Sequence, residues 1–187
     1  MILLNLMTLA SLIITITLLS GARIMVNHIY FQVIITIFIL YPNLLDLIEG
    51  YKLGYIGISP ILAFTTIILL ILILGYRRNK YIYYIHNVEE QDIINIIENY
   101  LKRKNINYEI KPEEIYLSDT DNNIYIRSLL ATTLDYRKIK NNNFYNDLVN
   151  EVKAGIKQTK KIYFSMESIL YLILTLFLLW IRFVFIK

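Results

Sequence analysis

Four stretches of the chain are almost wholly apolar, and one long polar stretch separates the third from the fourth. Ile2 to Leu19 is a run of eighteen residues without a charge, about 27 Å long as a helix at ~1.5 Å per residue. That is close to the ~30 Å hydrocarbon core of a bilayer, so a first membrane span is expected. Ser20-Gly21-Ala22 would suit signal-peptide cleavage. No Lys or Arg precedes the run, however, and it exceeds the ~7–15 apolar residues of such a signal, so an uncleaved helix is expected. After a tight joint at Ser20–Arg23, a second span runs from Ile24 to about Tyr41 and ends at Pro42. Residues 42–59 mix Leu44, Leu45, Leu47 and Ile48 with Asp46 and Glu49, and Tyr51 and Tyr55 follow. This is the pattern of an interfacial helix with aromatic anchors on the external surface. Ser59-Pro60 is a helix start, opening a third span over Ile61–Tyr76. A fourth runs from about Met166 to Ile186.

The polar stretch has its own periodicities. Tyr81–His86 is rich in β-formers and predicts a strand. Asn87 and Glu90 have the spacing of a capping box, and Ile93, Ile94, Ile96, Ile97, Tyr100 and Leu101 form one face of the helix that follows. Lys102-Arg103-Lys104 suits the negative end of that helix, and Asn105 the residue past it. Tyr108–Ile110 and Ile115–Leu117 flank a break at Pro112. From Ile124 to Tyr136 every even position except Ser128 and Thr132 is a large apolar or aromatic residue, predicting one long strand with a bend near Ser128. Asn141–Asn143 reads as a turn and cap before a helix with Phe144, Leu148, Val152 and Ile156 on one face. That series continues toward the fourth span without proline, so one nearly continuous helix from Phe144 to Ile186 is expected, with Gly155 its weak point.

The order is β-α-β-β-α, an incomplete ferredoxin-like split βαβ whose fourth strand is missing, which leaves a sheet edge or face bare for pairing. The fold class expected is thus an α-helical transmembrane protein of four spans with a small α+β insert. Its parts are three helices with an external loop (1–76), the insert (77–164) and a C-terminal span (165–187).

Composition strengthens the membrane assignment. The chain is 56% hydrophobic with a mean hydropathy of +0.48, against about 45–50% apolar residues in soluble domains. Up to Tyr76 the only charges are Arg23, Asp46, Glu49 and Lys52. Orientation follows from Arg77, Arg78 and Lys80 after the third span and Lys157, Lys160 and Lys161 before the fourth. By the positive-inside rule the insert is cytoplasmic, in the plasma membrane of the cell, and both termini are external. Arg182 and Lys187 oppose this from the outer end, but are outnumbered. The same six cations are candidate contacts to anionic lipid.

Candidate chemistry is sparse. The absence of cysteine excludes disulfides, thiolate metal sites and a cysteine nucleophile. A net charge of +4 spread through the insert gives no footprint for nucleic acid. Asp119–Asn123 begins like a calcium loop, but Ile124 and Leu130 stand where Gly and Glu are required, so an ordinary hairpin loop is expected. Asn27, His28 and Gln32 are polar within the second span. His28 and Gln32 share a face, and an interhelical hydrogen bond is expected there ahead of a ligand site. Thr8, Ser11 and Thr15 fit helix packing. His86, at a strand end, is expected on the surface. The six glycines make no phosphate loop, and no nucleophile–base spacing stands out.

No cofactor, metal or catalytic residue is expected. The function expected is that of a non-enzymatic membrane protein whose insert binds a protein partner, as an accessory, sensor or assembly subunit. The alternative is a small transporter or channel subunit formed by self-association.

Overall fold

The computed structural model describes residues 2–159 and 166–185. The chain forms two compact units, one of Met1–Val26 with Tyr81–Lys187 and the other of Asn27–Lys80. The units therefore cut across the linear division into spans and insert.

The second unit is a helical hairpin, α2 (His28–Lys52) and α3 (Ser59–Asn79). Helix α2 does not end at Pro42, which lies inside it. Proline removes one backbone donor, whereas ending the helix would free several groups at once, a larger cost in an apolar surrounding. The Asn43 side chain also donates to the Ile39 carbonyl at 2.9 Å. The expected interfacial segment is thus largely the last turns of α2. The helix stops in a left-handed cap with Gly54 at φ +75°. The Tyr55 amide reaches the Gly50 carbonyl, and the Gly54 amide reaches Tyr51.

Ile24–Asn27, whose first three residues belong to the first unit, is a strand, β1, and not the start of a span. The remaining strands are β2 (Ile82–His86), β3 (Tyr108–Lys111), β4 (Glu114–Leu117), β5 (Asn122–Ser128) and β6 (Thr132–Asp135). They form one sheet in the order β1-β2-β6-β5-β4-β3. The pairs β2–β6, β6–β5, β5–β4 and β4–β3 are antiparallel. The expected strand over 124–136 is in fact a hairpin, with Ser128 opposite Thr132 and Ile126 opposite Leu134. The order from β2 onward is therefore β-α-β-β-β-β-α, and three strands separate β2 from β3 where the expected ferredoxin-like split βαβ has one. Helices α4 (Glu90–Arg103) and α5 (Tyr145–Gln158) cover one face of the sheet. The core is Ile93, Ile97 and Leu101 of α4 and Leu148, Val152 and Ile156 of α5 against Ile85, Ile115, Leu117, Ile124, Ile126 and Leu134.

Helix α4 ends as its sequence suggests. Asn105 takes φ 54°, and the Ile106 and Asn105 amides close on the Leu101 and Lys102 carbonyls. Its start differs. The N-cap is Glu89, without a side-chain cap bond, and Asn87 is engaged elsewhere. Helix α5 ends at Gln158, where Thr159 turns out of the helix at ψ 135°. The expected unbroken helix is therefore interrupted there, and residues 160–165 of it lie outside the described ones.

Helices α1 (Ile2–Leu19) and α6 (Met166–Phe185) lie side by side in this unit. Ser11 and Thr15, one turn apart on α1, both reach the Thr175 hydroxyl, at 2.5 and 2.8 Å. Among the described residues, three helices are long and apolar enough to cross a membrane: His28–Lys52, Ser59–Asn79 and Met166–Val184. Asn5–Leu19 is a shorter apolar helix.

Candidate functional site

Among the described residues, none pairs with the outer long side of the outermost strand β3, and a groove opens behind it. The Ser118 backbone amide donates to the Asn107 carbonyl at 3.0 Å. Hydrogen-bonded pairs therefore alternate as Asn107/Ser118, Glu109/Tyr116 and Lys111/Glu114, and the backbone groups of Tyr108 and Ile110 point to the open edge. The β3–β4 turn is tight because Pro112 presets its first position and Glu113 accepts φ 63° at the second. The Glu113 carboxylate meets Arg127 at 3.5 Å.

The groove measures about 270 Å³ and runs between this turn and the first turns of α4. Ile115 and Ile126 floor it, Ile94 and Ile110 wall it, and Glu90, Glu113, Glu114 and Lys111 rim it. Ile110 is 46% exposed although its strand partner Ile115 is buried, so the apolar wall continues past the sheet edge. Carboxylates outnumber cations on the rim. At the far end of β3, Tyr108 donates to Glu98 at 2.7 Å and Lys102 pairs with the same carboxylate at 2.7 Å. Those two partners hold the Glu98 carboxyl below its ordinary range, the Lys102 bond contributing most.

A second polar cluster joins the sheet to α1 and α6. His86 is buried, and its Nδ1 lies 2.8 Å from Glu167 Oε2. This is a close polar contact without the alignment of a hydrogen bond. Asn87, 1% exposed at φ 59°, donates from Nδ2 to the Leu18 and Ala22 carbonyls at 2.8 and 3.0 Å. The buried Ser168 hydroxyl lies 3.4 Å from Asn87 Oδ1. Burial, and then the charge of Glu167, push the Tyr84 phenol above its usual range. Sequence reasoning put His86 on the surface and made Asn87 a cap. Both were misplaced because their partners are remote in the chain.

The other expected residues fall as follows. Asn27 caps α2 through the Ile29 amide (2.9 Å) and donates to the Lys80 carbonyl at 2.8 Å. Gln32 bridges the helical hairpin, donating to the Ile71 carbonyl at 3.2 Å and accepting from Asn79 at 2.8 Å. Gly75 makes room for it, since a Cβ there would collide with the Gln32 amide. His28 sits beside Phe31, ring centroids 6.4 Å apart. Arg77 and Arg78 end α3 and Lys157 lies in the last turn of α5, while Lys160 and Lys161 lie outside the described residues. Lys80 stands over the Tyr76 ring at 5.7 Å. In the loop considered for calcium, Asp119 accepts from Asn107 N and Nδ2 at 2.9 and 2.8 Å, which lowers its carboxyl's pKa. Asp121 accepts from Tyr116 at 2.7 Å. Among the described residues no group of His, Asp or Glu side chains is arranged to hold a metal.

No protein-family model, curated protein or solved structure matches this chain.

Proposed function

We propose that the chain is a non-enzymatic, four-span integral membrane protein whose cytoplasmic α+β domain binds a protein partner by strand addition at β3. The observation that carries this reading is the open β3 edge beside an apolar, acid-rimmed groove. An extended segment can pair with the Tyr108 and Ile110 backbone while one apolar side chain enters the groove. The rim favours Lys or Arg on either side of that apolar residue. The four spans are the three long apolar helices with α1 as the shortest, supported by the Ser11–Thr175–Thr15 bonds along α1 and α6. The cytoplasmic orientation rests on Arg77, Arg78, Lys80, Lys157, Lys160 and Lys161, each contributing about 1 kcal/mol toward anionic lipid. Through His86 and Asn87, the same sheet touches α1 and α6, so an occupant of the domain would act on those helices by side-chain contacts.

The test is a photoreactive side chain at Glu109 in native membranes. One defined, different chain should be crosslinked, and Ile110→Pro should abolish the adduct. That substitution removes an edge donor while leaving the β3–β4 ladder intact. Adducts only between copies of this chain would favour the oligomeric transporter or channel subunit, and adducts insensitive to Ile110→Pro would rule out strand addition.

A further inference from the structure

The tip of the β5–β6 hairpin carries two adjacent leucines that the domain core does not use. Leu129 is 90% exposed and Leu130 is 44% exposed. Ser128 pairs with Thr132, so residues 129–131 project beyond the last rung of the hairpin. Thr132 in turn lies opposite Ile85 of β2. The tip therefore reaches the level of His86 and Asn87. That level is where Asn87 bonds the Leu18 carbonyl at the end of α1 and meets Ser168 at the start of α6. Met166, itself 63% exposed, lines a small cavity of about 30 Å³ together with Leu129, Leu130, Ile85 and Val88. The hairpin thus presents its leucines where two apolar helices begin and end.

We propose that Leu129 and Leu130 form a membrane-dipping tip, seated in the headgroup–acyl boundary of the bilayer that holds α6. The inference rests on the reading that α6 crosses a membrane. Given that, the occupant of the leucine patch is lipid, because the interface lies at the level of Met166 and Ser168. In water two adjacent exposed leucines would be an unfavourable apolar patch, whereas at the interface they transfer out of water. Nearby Arg127 stands over the Tyr125 ring at 5.8 Å, an aromatic–cation pair suited to the headgroup layer just behind the tip. The hairpin becomes a further attachment of the domain to the membrane surface, beside the chain entering α6 and the Asn87 link to α1. It fixes the tilt of the sheet against that surface.

The chain's single tryptophan, Trp180 on α6, makes the test self-controlled. The full protein is reconstituted in phosphatidylcholine vesicles with or without bromine on the acyl chains. In the unaltered protein, bromolipid should quench Trp180. In Trp180→Phe/Leu129→Trp, emission should be blue-shifted, lost in bromolipid and insensitive to aqueous iodide. Red-shifted, iodide-quenched emission would put the tip in water. Blue-shifted emission indifferent to bromolipid would put it against protein. Either outcome overturns the proposal while leaving the membrane reading intact. Unquenched Trp180 would overturn the membrane reading and the tip with it. Because the chain lacks cysteine, a nitroxide on Leu129→Cys gives a second measurement. Collisions with oxygen should exceed those with a nickel chelate, and the reverse should hold for the exposed Thr120→Cys in the β4–β5 turn, at the other end of β5.

Discussion

Asn87 shows how one residue can be read correctly in conformation and wrongly in role. Asparagine is among the few side chains that tolerate the left-handed region, and Asn87 sits there at φ 59°. Its amide is spent on carbonyls at the end of α1, and not on capping α4. Asn87→Gly should keep the backbone but lose both hydrogen bonds, at about 1 kcal/mol each. Asn87→Ala should cost about 1 kcal/mol more, from left-handed strain. Asn87→Asp should be worst, because a carboxylate can donate to neither carbonyl and would set its charge against both carbonyl oxygens. Thermal unfolding in detergent should rank the variants in that order. An Asn87→Ala protein as stable as the parent would show that the link to α1 contributes nothing. The Tyr136 hydroxyl is a different case. It is wholly buried, its ring centroid lies 5.9 Å from those of Tyr83 and Tyr145, and burial drives its pKa well up, so it stays protonated. Tyr83 and Tyr145 share a 3.3 Å hydroxyl contact, and burial followed by that bond pushes Tyr145 up too.

At the scale of elements, alternation located the buried positions of residues 124–136 without revealing their path. A hairpin whose loop has an odd number of residues keeps even positions opposite even positions. Ile124, Ile126, Leu134 and Tyr136 therefore stay on one face whether the chain runs straight or turns back. Glycine gave a comparable lesson. Gly155 looks like a weak point in α5, yet a Cβ there would lie 2.9–3.1 Å from the Ile96 side chain on α4. The absent side chain sets how closely the two helices approach. Gly155→Ala should therefore fail to deliver the ~1 kcal/mol that alanine gains in a helix interior. Overpacking costs ~1–3 kcal/mol, so a net loss of up to ~2 kcal/mol is expected. In an Ile96→Ala background the same change should become stabilising. A Gly155→Ala protein with a raised melting temperature in the parent background would contradict the close approach.

For the whole molecule, the consequence is that the insert is not self-contained. All members of the buried core cluster lie between Ile85 and Ile156, so a fragment of residues 81–159 keeps its core and should melt cooperatively. That fragment lacks β1, which flanks β2 in the sheet, and lacks the α1 and α6 residues around His86 and Asn87. It should therefore be less stable than the domain in the full chain. It should also associate through the uncovered β2 edge, seen as a concentration-dependent mass in sedimentation. A strictly monomeric fragment of undiminished stability would show that β1 and the polar cluster are incidental.

Sequence alone determined what depends on neighbours a few residues apart. The apolar runs, the helix periodicities, the left-handed Asn105 stop and the buried parity of β4 to β6 all follow from local spacing and side-chain type. Tertiary structure decided what depends on partners far along the chain. Ile24–Asn27 is apolar enough for a span, yet it forms a strand beside β2. Pro42 stays inside a helix, because stopping there would leave more backbone groups unpaired than proline itself removes. His86 and Asn87 become buried because Glu167, Ser168 and the end of α1 converge on them. A strand, a buried histidine and an open edge are each defined by what lies, or does not lie, across space, and that information is not carried by periodicity.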